Sequence, residues 1–153
     1  LATNSETKPI YKMKYNKIIS VIFIIFSIVY STNFIINSEL TYNLESYFDF
    51  EYLVSFSPVI VSIILLIAGI LLFVNPAKAN LALALFGHSV VEEIVFNWLG
   101  ISDSQYNIYL TIIFLIFGLT AIYIAYTDTF SSKKLSIKEA IISFIIGTLF
   151  ALF

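Results

Sequence analysis

The sequence predicts an all-α integral membrane bundle of about five transmembrane helices, N-terminus inside and C-terminus outside. Three observations predict it. Hydrophobic residues make up 59% of the chain and charged residues only 12%, about half the ~25% charge of a soluble domain. Such a chain cannot cover itself with a water-facing shell, so lipid is its solvent. Five apolar runs approach the ~20 residues that cross a ~30 Å hydrocarbon core. Charges between the runs alternate in sign, as insertion requires.

The first run covers residues 17–36. It is longer than the roughly 7–15 residues of a signal-peptide core, and Ser38-Glu39-Leu40 is not a small-residue cleavage site, so a retained span is expected. The loop 37–52 follows, with Glu39, Glu45, Asp49 and Glu51 among Leu40, Tyr42, Leu44, Tyr47, Phe48, Phe50 and Tyr52. Amphipathic rings suit the headgroup layer, so this is expected to be an interfacial segment. A docking surface for a partner subunit is the next reading. A calcium site from Glu45, Asp49 and Glu51 lacks the ligand spacing and turn glycine of a calcium loop.

The second run, 53–74, carries Pro58 in its first turn, where proline is tolerated. The third covers 79–99 and the fourth 106–127. The fifth, 137–153, is short, has Lys138 and Glu139 in its first turn, and ends without a polar tail. Together they form one polytopic membrane domain, 1–153.

Lysines set the orientation. Lys8, Lys12 and Lys14 precede the first run and Lys17 opens it, Lys78 stands between the second and third, and Lys133 and Lys134 stand between the fourth and fifth, followed by Lys138 in the first turn of the fifth. The intervening loops carry Glu39, Glu45, Asp49 and Glu51, then Asp103. Positive segments are held inside during insertion, so the lysine-bearing segments are predicted to be cytoplasmic. The basic stretch with Tyr11 and Tyr15 reads as this topology signal, with anionic lipid as its natural secondary partner. It is short and abuts a membrane, so nucleic acid is not an expected partner.

Small residues permit close helix approach in lipid. Ser143, Gly147 and Ala151 recur every four residues, preceded by Ala140. Gly118, Ala121 and Ala125 share one side of the fourth run, and Ala68 and Gly69 lie in the second. These faces are expected to pack within the bundle, with a partner chain as the alternative.

The candidate site is in the third run. His88, Glu92 and Glu93 are the ionisable side chains deep in an apolar segment, and insertion of a charged one costs roughly 2.5–3.5 kcal/mol. Residues four apart share a helix face, so His88 and Glu92 are neighbours. Ser89, Glu93 and Asn97 form a second polar line. Three readings compete. In the first the cluster is structural: Glu92 pairs with His88 or stays protonated, and Glu93 and Asn97 bond to neighbouring helices or a partner, with Asn33, Ser62, Thr111, Thr120 and Tyr123 as candidates. In the second, His88, Glu92, Glu93 and Asn97 form a proton relay or shared polar site. In the third, His88 and Glu92 are metal ligands completed by a partner chain.

The nine residues from Val91 to Leu99 resemble the paired-glutamate motif of the CAAX-processing and bacteriocin-processing intramembrane proteases. That family reads Glu-Glu, three residues, then Arg. Here Asn97 stands at the Arg position, and no histidine follows His88 to match the family's later motifs. The protease assignment is therefore not carried over.

Cysteine is absent and there is one histidine, which excludes disulfides, thiolate sites and multi-imidazole metal sites within the chain. No phosphate-cradling loop or nucleophile elbow is present, and no cofactor or soluble substrate is legible. All eight basic residues are lysine, which with abundant Ile, Asn, Phe and Tyr suggests an AT-rich genome. The expected location is the plasma membrane of a prokaryote, with an organellar membrane as the alternative. The expected function is an accessory or structural subunit of a larger integral membrane complex, with a redox or metalloenzyme host in view. A small proton- or ion-coupled transporter or channel is the alternative, and an intramembrane metalloenzyme is a third.

Overall fold

A computed structural model describes residues 7–38, 55–102, 107–127, 129–130 and 134–152, with side chains from residue 15 onward. Among the described residues there are five α-helices and no strand. They are α1 (Thr7–Asn37), α2 (Ser57–Val74), α3 (Asn80–Trp98), α4 (Ile108–Tyr126) and α5 (Ile137–Ala151). Most of the loop 37–52, including its calcium and docking candidates, lies outside the described residues.

Four helices are long and apolar enough to cross a membrane: Tyr15–Asn37 within α1, and α2, α3 and α4. Helix α1 begins ten residues before the expected span, so the basic stretch leaves the apolar layer as continuous helix. Helix α5 has 15 residues. At ~1.5 Å per residue it is ~22 Å long, short of the ~30 Å core. Its start explains why. Ser136 Oγ accepts from the Glu139 N–H, and Glu139 Oε2 accepts from the Ser136 N–H at 2.9 Å. This capping box uses Glu139 to start the helix, so the first-turn charges mark its membrane edge.

The other ends are equally local. Asn107 accepts from the Leu110 N–H at 3.0 Å and caps α4. A short 3-10 turn, Pro76–Lys78, joins α2 to α3. Helix α3 stops at Gly100, the positive-φ residue (φ 70°) among those described. There the Ile101 N–H bonds to Phe96 O and the Gly100 N–H to Asn97 O, the pairing of a Schellman turn.

Helix α3 is the hub, packed against α2, α4 and α5. Leu83, Ala84, Phe86 and Val90 are wholly buried on it, against Leu65, Ala68 and Leu72 of α2 and Phe114 and Ala121 of α4. Helices α1 and α2 run antiparallel and touch closely at Gly69. A Cβ there would fall 3.0 Å from Ile24 Cγ1 and 3.2 Å from Ser20 O. Serines bind the same seam: Ser62 Oγ donates to Ser27 O at 3.0 Å and shares a 2.8 Å bond with Ser31 Oγ. Rings then carry α1 onto α4, with Phe26 edge-on to Phe114 (5.3 Å) and to Phe117 (4.8 Å). Outward positions such as Ile63, Ile70, Ile112, Ile116 and Ile145 are exposed isoleucines, the inverse of a soluble surface and suited to acyl chains.

Candidate polar site at the centre of the bundle

The site is built on the midpoint of α3. Ser89 is the central residue of Asn80–Trp98, so His88 lies one residue before the middle and Glu92 about 4.5 Å beyond it. His88 Nδ1 is 3.4 Å from Glu92 Oε1, one helical turn away. That separation allows attraction but exceeds a normal hydrogen bond, and Glu92 Oε1 indeed has no hydrogen-bond partner.

Both side chains reach other helices. His88 Nε2 is 3.0 Å from the Tyr126 hydroxyl at the end of α4. The rings of Tyr126 and Phe144 both stand edge-on to the imidazole, at 6.0 and 5.6 Å between centroids. Glu92 Oε2 accepts from Thr148 Oγ1 of α5 at 2.6 Å. Thr148 Oγ1 is also 2.9 Å from Phe144 O, and a hydroxyl carries one proton, so it donates to one acceptor at a time. With a proton on the carboxyl, Glu92 donates to Thr148 and Thr148 to Phe144, and both contacts are made at once. The result is one line of polar groups, Tyr126–His88–Glu92–Thr148, across three helices.

Glycines make the approach possible. A Cβ on Gly147 of α5 would lie 2.7 Å from His88 Cβ and 3.0 Å from the Ser89 nitrogen. A Cβ on Gly87 would lie 2.5 Å from Ile122 Cγ1 and 2.8 Å from Gly118 O. Gly118, Ala121 and Ala125 of α4, and Ser143, Gly147 and Ala151 of α5, are all buried within the bundle.

Two members of the second polar line bond locally. Ser89 Oγ turns back to Leu85 O at 2.9 Å. Glu93 is rotated about 100° from Glu92 on the helix, on the side nearer Tyr30 of α1. Asn97 Nδ2 donates to Ser102 O at 3.2 Å and secures the turn after α3. Of the expected neighbours, Asn33 accepts from Asn37, Ser62 belongs to the α1–α2 seam, and Thr111 and Thr120 bond back to their own helix. Tyr123 is largely exposed. His88 and Glu92 meet Tyr126 and Thr148, which sequence reasoning did not single out. An aromatic at a helix end reads as an interface anchor, and a lone threonine in an apolar run carries no signal.

For a metal the site offers one nitrogen and one carboxylate. Among the described residues no group of three His, Asp or Glu side chains could hold a metal ion, so ligation by His88 and Glu92 requires donors from elsewhere.

Comparisons with protein-family models, with curated proteins and with solved structures gave no match. Inference about function therefore rests on the geometry.

Proposed function

We propose that this chain is a non-catalytic subunit of a larger integral membrane complex, one that supplies helical surface to its partners. The observation that carries the reading is that the hydrogen bonds of the polar cluster, all but the unpaired Glu92 Oε1, are made to helices of the same chain. His88 ends on Tyr126 and Glu92 on Thr148. A catalytic group must be open to a substrate, and a ligand lent to a neighbour must be free to leave its own helix. A redox or metalloenzyme host remains the class that His88 and Glu92 would suit; His88 Nε2 would first have to leave Tyr126, whereas Glu92 Oε1 has no hydrogen bond to give up. The lysine pattern supports an N-terminus inside and a C-terminus outside, in the plasma membrane of a prokaryote.

The test is extraction of the tagged chain from its own membranes in mild detergent, followed by native mass measurement. A subunit travels with unlike chains in fixed ratio. Recovery as a single chain or a symmetric homo-oligomer sinks the reading.

One observation favours a second reading, a proton step through the same groups. Interhelical hydrogen bonds in membranes contribute on average only about 0.6 kcal/mol each. Two such bonds return less than the roughly 2.5–3.5 kcal/mol of placing one charged group at mid-membrane. The glycine seams hold these helices without that cost. A line of exchangeable protons, interrupted only at the 3.4 Å gap between His88 and Glu92, in a setting where it is a poor fastener is the material of a relay. Proton flux into vesicles holding the purified chain, abolished by Glu92→Leu, would favour this second reading over the first.

A further inference from the structure

The surface of α2 and α3 carries a groove of about 260 Å³ that the polar site does not use. One wall is Ile64, Ile67 and Leu71 of α2, the other Leu81, Ala82 and Leu85 of α3. Lys78 completes the lining at the turn between the two helices. We propose that this groove holds an acyl chain of an anionic phospholipid, with its phosphate on the Lys78 ammonium.

Length, wall chemistry and charge point to that occupant. Ile64 to Leu71 spans about 10 Å along the helix, roughly two thirds of the ~15 Å that one leaflet contributes to the core. The apolar walls reach the membrane edge where Lys78 stands, so tail and headgroup sites are continuous. Lys78 is exposed and, among the described residues, has no carboxylate partner. Helix α3 begins two residues later with no side-chain cap, so its positive end adds to the same field. Lys17 lies over the Phe73 ring at 5.8 Å, a second cation at this end of α2. A partner helix fits less well. Helices about 10 Å across approach closely where residues are small, and these walls are Ile and Leu with Ala82 alone between them. Under the orientation expected from the lysines, this is the leaflet that carries anionic lipid.

The experiment reconstitutes the full chain into phosphatidylcholine bilayers containing a minority of phosphatidylglycerol. It is then released in mild detergent, and the retained lipids are counted by native mass spectrometry. The wild type is expected to retain phosphatidylglycerol in several-fold excess over its bulk share. Lys78→Gln should retain lipid without that excess, and Lys134→Gln should retain the excess. Ala82→Phe, which fills the groove, should lose both. Equal retention of the two lipids by the wild type, or an undiminished excess in Lys78→Gln, overturns the proposal. The chain has no cysteine, so Leu81→Cys adds a unique thiol. Efficient cross-linking of two copies through it in the bilayer would put a helix in the groove and likewise overturn the proposal.

Discussion

Gly147 lies directly on the backbone of His88: a methyl group at position 147 would fall 2.7 Å from His88 Cβ and 3.1 Å from its carbonyl carbon. The polar site and the α3–α5 seam are therefore one structure, and moving either helix moves both.

Gly147→Ala is accordingly expected to destabilise the bundle by about 1–3 kcal/mol, the usual cost of overpacking. The atoms in the way include the Ser89 nitrogen, which cannot rotate aside. Gly118→Ala meets Val90 Cγ1 at 3.3 Å, a side chain that can yield. It should be neutral or mildly stabilising, since alanine gains about 0.5–1 kcal/mol over glycine in a helix. Thermal unfolding in one detergent ranks the two, and equal losses would contradict the contact geometry.

The bond between Glu92 and Thr148 should appear as a coupling energy. In a double-mutant cycle with Glu92→Leu and Thr148→Val, about 0.6 kcal/mol is expected, and not above about 1.7. The double variant should be no less stable than Thr148→Val alone, because removing both partners leaves no orphaned buried group. Zero coupling would mean that the 2.6 Å contact is not made in the membrane.

Asn80 is buried at the start of α3, and neither its amide nitrogen nor its oxygen has a partner. Unpaired buried groups cost about 1–3 kcal/mol. Asn80→Leu should thus leave the unfolding midpoint unchanged or raise it. Ser62→Ala removes two bonds across the α1–α2 seam and should lower it. A lower midpoint for Asn80→Leu would reveal a partner that the amide needs.

Topology is open to a direct check. Single cysteines at Ala77 and at Ile101, both exposed, lie in the turns at opposite ends of α3. With α3 crossing from inside to outside, an impermeant thiol reagent added to intact cells should label Ile101→Cys and not Ala77→Cys. The reverse pattern would invert the orientation drawn from the lysines.

Hydropathy and local motifs were enough to predict five helices, because each backbone must satisfy its own hydrogen bonds in lipid and apolar length is printed in the chain. The pairing of His88 with Glu92 was legible for the same reason: a four-residue spacing is a property of one helix. The division of labour between Glu92 and Glu93 was not. Adjacent residues point about 100° apart on a helix, and only the placement of α5 against α3 decides that Glu92, and not Glu93, meets Thr148. Asn97 illustrates the same limit: four residues beyond Glu93, it turned to Ser102 once the chain reversed at Gly100.

What the sequence determined by itself is the membrane character, the helix inventory, the lysine asymmetry and the small-residue faces, all consequences of local composition and period. What only the tertiary structure decided is which faces meet. Gly147 against His88, Gly87 against Gly118, and Tyr126 and Thr148 on the polar pair are contacts between segments far apart in the chain. In lipid no difference in hydrophobicity selects one apolar helix face over another. Selection falls to shape and to the few polar atoms that must find each other, and those are properties of the assembled bundle.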